Sequence, residues 1–194
     1  MIEAIKYNLT HLTQFGGRDA RQTFWFYVLF LALAQFVLSL AISSPLTGSM
    51  MGDAVIATRD GASEAEIQVR ALEHVDTMMR ATIWTSVILG VLMAGLLVAA
   101  FTRRLHDSNK PGWIAILTVA IQIGSLAIAV GGIDDAMRMI AQMQAGDPAA
   151  MQGMQVNFAT RGLLGWLPLI LIVVFGVLPS TKGENRYGPQ PLPN

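Results

Sequence analysis

The side chains able to do chemistry gather in three short runs. The first is Phe15-Gly16-Gly17-Arg18-Asp19-Ala20-Arg21-Gln22-Thr23-Phe24-Trp25. The second is Arg103-Arg104-Leu105-His106-Asp107, continuing to Gly112-Trp113. The third is Gly183-Glu184-Asn185-Arg186-Tyr187-Gly188-Pro189. His106 beside Asp107 has the composition of a proton-transfer pair or part of a metal site. A metal site needs three or four converging ligands, and only His11 and a few carboxylates could join His106. His74 belongs to a segment expected on the other side of a membrane. The chain has no cysteine, which removes disulfides, thiolate metal sites and cysteine nucleophiles together. The bland reading of the three runs is therefore the stronger. Arg18 and Arg21 are three apart and share one side of a helix. With Arg103 and Arg104 they can form a clasp whose acids are Asp107 and Glu184. Two alternatives stay open. One is a basic collar for anionic lipid headgroups, at about 1 kcal/mol per basic residue. The other is a docking face for a partner, to which His106, Asn185, Arg186 and Tyr187 would add.

Thioethers offer a further chemistry. Nine of the eleven methionines, Met50, Met51, Met78, Met79, Met137, Met139, Met143, Met151 and Met154, fall in two segments, 45–81 and 132–161. Thioethers suit Cu(I), but Met78, Met137 and Met143 sit on apolar helical faces. Adaptable packing is the expected role.

These groups must be positioned by elements of an unusual kind. Of the 194 residues, 53% are hydrophobic and 13% charged, with a mean hydropathy of +0.50. Soluble domains carry roughly 25% charged residues. Four stretches, 24–44, 82–102, 113–131 and 162–179, hold no Asp, Glu, Lys, Arg or His. About 20 such residues cross about 30 Å of hydrocarbon. The expectation is an all-α integral membrane four-helix bundle forming one membrane domain over 1–194. The 21-residue apolar run of the first span exceeds a signal-peptide core of about 7–15 residues, so it is expected to be retained.

Orientation follows from Lys and Arg. Segments 1–23, 103–112 and 180–194 hold eight of them, against five in 45–81 and 132–161. Both termini are expected in the cytoplasm. Trp25 and Trp113 then lie at the inner ends of their spans, and Trp84 and Trp166 near the outer ends, where indoles prefer to sit.

Between the spans, residues 2–15 place Ile2, Ile5, Leu9 and Leu12 on one helical face, with Lys6, Asn8 and Thr13 opposite. That pattern predicts an interfacial helix. Segment 45–81 should open as loop through Pro45, Gly48, Gly52, Asp60 and Gly61. Ser63 and Glu66 then match a capping box, starting a helix that runs unbroken into the second span. In 132–161, Asp134 should cap a helix ended by Gly146, and Asp147-Pro148 should start another. Inside the spans, Gln35 and Gln122 share a depth, should face inward and can bond each other. Ser86, Gly90 and Ala94 form a small-residue ladder that permits close contact with another helix, a membrane-protein partner or a second copy. Pro168 can kink the fourth span. No charge lies within the membrane, whereas ion-coupled transporters and voltage sensors usually depend on one.

In order and placement, the three runs resemble those of the domain of unknown function 805 (DUF805) family of small bacterial inner-membrane proteins. That family has a Gly-Arg-x-x-Arg-x-x-Phe-Trp entry to its first span, an Arg-Arg-Leu-His-Asp loop ending in Gly-Trp, and a terminal Gly-x-Asn-x-Tyr-Gly-Pro. The long segments 45–81 and 132–161 depart from the pattern, as does Ser180 where glycine is usual. The resemblance implies a bacterial inner-membrane location and supplies no chemistry. The expected function is non-catalytic, a structural or interaction protein of the membrane. The alternative is a small transporter or channel component. No cofactor, metal or nucleic-acid partner is implied.

Overall fold

Uncharged apolar runs become helices because, away from water, only internal hydrogen bonds satisfy the backbone. The computed structural model describes the backbone of residues 1–191 except 60, 62, 146 and 147, and all side chains outside parts of 46–73 and 143–161 and residues 192–194. Its helices are α1 (Ile2–Thr10), α2 (Arg21–Arg59), α3 (Glu64–Asp107), α4 (Trp113–Gly131), α5 (Ile133–Gln144) and α6 (Pro148–Val177). Among the described residues there is no strand, only an isolated bridge between Asn185 and Gly188.

The chain is all-α, with three helices long and apolar enough to cross a membrane: Arg21–Pro45 of α2, His74–Asp107 of α3, and α4. The last coincides with the stretch read from sequence. α6 adds a shorter apolar stretch, Gly162–Val177, about 24 Å at 1.5 Å per residue. It stops before the expected Pro179, because a proline disfavours helical geometry in the residue before it. Large apolar side chains such as Phe36, Ile88, Ile116 and Leu163 are exposed. They match a hydrocarbon surround, in which burying them against protein brings no hydrophobic gain. The molecule is a membrane protein.

Ser63 and Glu66 form the expected capping box: Ser63 Oγ accepts from Glu66 N at 3.3 Å, and Ser63 N donates to Glu66 Oε2 at 2.9 Å. α3 then continues without a break for 44 residues. Segment 45–59 corrects its loop reading, since α2 runs through Pro45 to Arg59. Pro45 removes one helical hydrogen bond, and Gly48 and Gly52 cost about 1 kcal/mol each. Leucine, methionine, alanine and isoleucine around them still favour helix. The chain turns only near Gly61, at φ +71°. α5 begins before Asp134, which lies in its first turn with Asp135 rather than at the cap. Carboxylates there complement the helix dipole. Pro148 opens α6; Asp60, Gly146 and Asp147 lie outside the described residues.

α3 packs between α2 and α4, and α6 lies on α4 and under α5. α6 meets α2 over a short stretch that includes Gly176. The tightest core, with Phe24, Tyr27, Phe101 and Leu105, gathers at the end carrying the arginines. At the far end Arg80 joins Asp76 on its own helix and Asp134 on α5, both at 2.9 Å. Met78, Met79, Met137 and Met139 are partly buried there, as packing methionines would be. The side chains of Met50, Met51, Met143, Met151 and Met154 lie outside the described residues.

Candidate functional site

Three arginines and two aspartates are buried together at one end of the bundle. Arg18 stands in the loop before α2, held by the turn at Gly17, whose φ is +90°. Its guanidinium donates twice to Asp107 Oδ1, at 3.2 and 3.0 Å. The remaining donors reach the main-chain carbonyls of Thr181, Gly183 and Gly188, at 2.6, 2.7 and 3.1 Å. All five N–H groups of an arginine are thus used. Gly183 and Gly188 sit at φ +72° and +125°, the left-handed region that glycine enters without penalty.

Arg104, on the last turn of α3, donates to the other Asp107 oxygen and to the carbonyls of Gly176 and Leu178 where α6 ends. Ser180 Oγ also donates to Asp107, and Thr181 N to the Asp107 carbonyl. Asp107 is completely buried. Removing two like-charged guanidiniums from water is costly without such partners.

Arg103 points the other way. Its Nε donates to Asp19 Oδ2 at 2.9 Å, and its Nη groups reach Asn8 Oδ1 and the carbonyls of His11 and Gln14. The Tyr7 ring covers it, 5.5 Å from Cζ. Burial pushes the Asp19 carboxyl up from the ordinary aspartate range, against the opposing pull of the Arg103 charge. Burial also raises the Tyr7 phenol, with the Asp19 charge adding to it.

His106 lies flat on Tyr187, with ring centres 3.8 Å apart and planes 6° apart. Its Nδ1 donates to the Gly17 carbonyl at 3.2 Å, and its own carbonyl accepts from Asn185 Nδ2 at 3.0 Å. Asn185 Oδ1 in turn accepts from Tyr187 N. A Cβ on Gly112 would fall 2.9 Å from Thr102 Cγ2 and 3.0 Å from His106 Nε2. That close approach is why Gly precedes Trp113. The arrangement binds chain to chain: each arginine joins two segments distant in sequence. Among the described residues no group of three or more His, Asp or Glu could hold a metal ion.

Residues 12–189 match a family model described as a protein of unknown function (DUF805). The chain belongs to this family. No curated protein and no solved structure matches it. The DUF805 match takes in all three motifs, and the network gives those motifs a physical reason to occur together.

Of the expected site residues, Arg18, Arg103, Arg104, His106, Asp107, Asn185 and Tyr187 converge. Two do not join. Among the described residues, Arg21, exposed at the start of α2, has no acidic partner, and exposed Glu184 makes no ion pair. Glu184 lies in a tail turn that aims main-chain carbonyls, not side chains, at Arg18. Arg186 stays at the surface, over Tyr187 and within 3.4 Å of the Asn109 carbonyl. Asp19 fills the place expected of Glu184. Asn8, read as part of the polar face of α1, is instead buried against Arg103. The adjacency of Asp19 to Arg18 was the available signal; for Asn8 there was none beyond its polarity.

Gln35 and Gln122 line one cavity of about 390 Å³ between α2, α3, α4 and α6, and no hydrogen bond joins them. Gly90 and Ala94 line the same cavity, with Gly90 set against Leu126 and Gln122 of α4. Their close contact is therefore made within the chain. Ser86 is exposed and donates to the Thr82 carbonyl.

Proposed function

We propose that this DUF805 protein is a multi-pass protein of the bacterial inner membrane with both termini in the cytoplasm. Its role there is non-catalytic, as a structural or interaction protein. One observation carries the reading: the buried charged groups Arg18, Asp19, Arg103, Arg104 and Asp107 are spent on one another and on neighbouring main-chain and side-chain oxygens. A buried, fully bonded network of this kind holds a shape. Orientation is supported by what remains exposed at that end. Lys6, Arg21, Lys110, Lys182 and Arg186 face out, against Glu3 and Glu184. This basic rim meets anionic headgroups of the inner leaflet, so lipid contact and clasp coexist as surface and interior of one feature.

Photo-cross-linkers placed at exposed Arg21 and Lys182 in living cells test the role. A defined membrane-protein partner, lost when the site is moved to lipid-facing Ile116, is the expected outcome. Substrate-dependent flux in vesicles holding the purified protein alone would overturn the reading in favour of a small transporter.

A further inference from the structure

The cavity between the spans is placed and lined like a ligand site. Gln35 lies 11 residues after Phe24, and Gln122 lies 9 after Trp113. At 1.5 Å per residue both stand about 13–17 Å from the arginine-bearing end, half the thickness of a hydrocarbon layer of about 30 Å. The cavity extends from Phe101 near that end to the two glutamines. Its volume, about 390 Å³, falls in the range of small-molecule pockets. Its walls are apolar apart from the two amides and Thr118, whose hydroxyl donates to the Ile114 carbonyl. Gln35 is exposed as well as lining, so the cavity communicates with the surrounding membrane.

Among the described residues neither glutamine side-chain amide has a hydrogen-bond partner, and hydrocarbon offers none. Unused donors and acceptors are thus set around an apolar space at mid-membrane depth. Phospholipid headgroups do not reach that depth, and acyl tails carry nothing to bond there.

We infer that this cavity binds an uncharged, elongated, membrane-soluble molecule whose polar part is a carbonyl or hydroxyl held by Gln35 and Gln122. The ring carbonyls of lipophilic quinones and the terminal hydroxyl of isoprenoid alcohols share this chemistry. Such a site goes beyond the structural role proposed above and does not depend on it.

Thermal melts of the purified full chain in detergent, at equal micellar mole fraction of decylubiquinone, farnesol or dodecane, test the inference. Decylubiquinone or farnesol should raise the midpoint in a concentration-dependent way, and dodecane should not. The larger of the two responses identifies carbonyl or hydroxyl recognition. The double variant Gln35→Leu/Gln122→Leu should bind the preferred probe at least tenfold more weakly, and Ala94→Phe should abolish the response. A dodecane response equal to the others, or undiminished affinity in the double variant, would overturn the assignment. Should the variants fail to fold, the three-probe comparison on the unaltered protein decides alone.

Discussion

Asp107 accepts side-chain bonds from Arg18, Arg104 and Ser180 while buried completely. Replacing it by asparagine keeps its size and strands two buried cations. Breaking one side of a buried ion pair costs about 3–5 kcal/mol, and Asp107→Asn should lower the melting midpoint accordingly. Arg59→Gln, at the exposed end of α2, should melt like the parent. A Cβ on Gly176 would meet Phe24 and Trp25 ring carbons at 2.9 Å, and rigid rings cannot swing aside. Gly176→Ala should cost about 1–3 kcal/mol by overpacking. Gly165→Ala, where nothing lies within 4 Å, should be neutral or stabilise by up to about 1 kcal/mol through helix propensity. The arginines and Asp107 were legible in sequence because buried charge demands a partner. Gly176 was not, because it serves through its carbonyl and its lack of a side chain. Every residue has a carbonyl, so a site built largely on them leaves little mark on residue type.

Helix α3 is the longest of the described helices. Its 44 residues span about 66 Å, twice the hydrocarbon thickness, so its first turns project beyond the bilayer. Their start rests on the Ser63–Glu66 box, whose hydrogen bonds hold the Glu66 carboxyl below the ordinary glutamate range. A depressed acid stabilises the folded form above its unfolded pKa and loses that contribution as pH falls through the folded value. Protection of the backbone amides at 64–70, as deuterium uptake corrected for the intrinsic slowing of exchange in acid, should therefore fall on acidification through that window. Glu66→Gln, which retains a capping-box residue, should flatten the dependence; an equal fall in the variant would exclude Glu66 as its source. The helix start was readable because a cap is local chemistry. The continuation of α2 past Pro45 was not, since turn residues in a row predict a loop only when nothing else favours helix.

For the whole molecule, the spans were legible from uncharged length alone, and the arrangement of helices around the cavity was not. Packing order depends on which small residues face one another, and Gly90, Ala94 and Gly165 carry no mark of direction. The cysteine-free background makes orientation testable. Val69→Cys, exposed on the projecting part of α3, should react with an impermeant maleimide in intact cells. Glu184→Cys, exposed at the opposite end, should react only after the membrane is opened. The reverse pattern would invert the topology.

The carbonyls that receive Arg18 and Arg104 belong to residues 176–188, which a ribosome adds after everything they bind. Three helices can form with Arg18 and Arg104 already paired to Asp107 and still short of those carbonyls. The end at which Arg18, Arg104 and Asp107 meet closes only when α6 has turned and the following segment has folded back. A chain released early would leave these two paired guanidiniums without the main-chain acceptors that complete their burial in the finished protein. The clasp therefore distinguishes a completed molecule from an abandoned one.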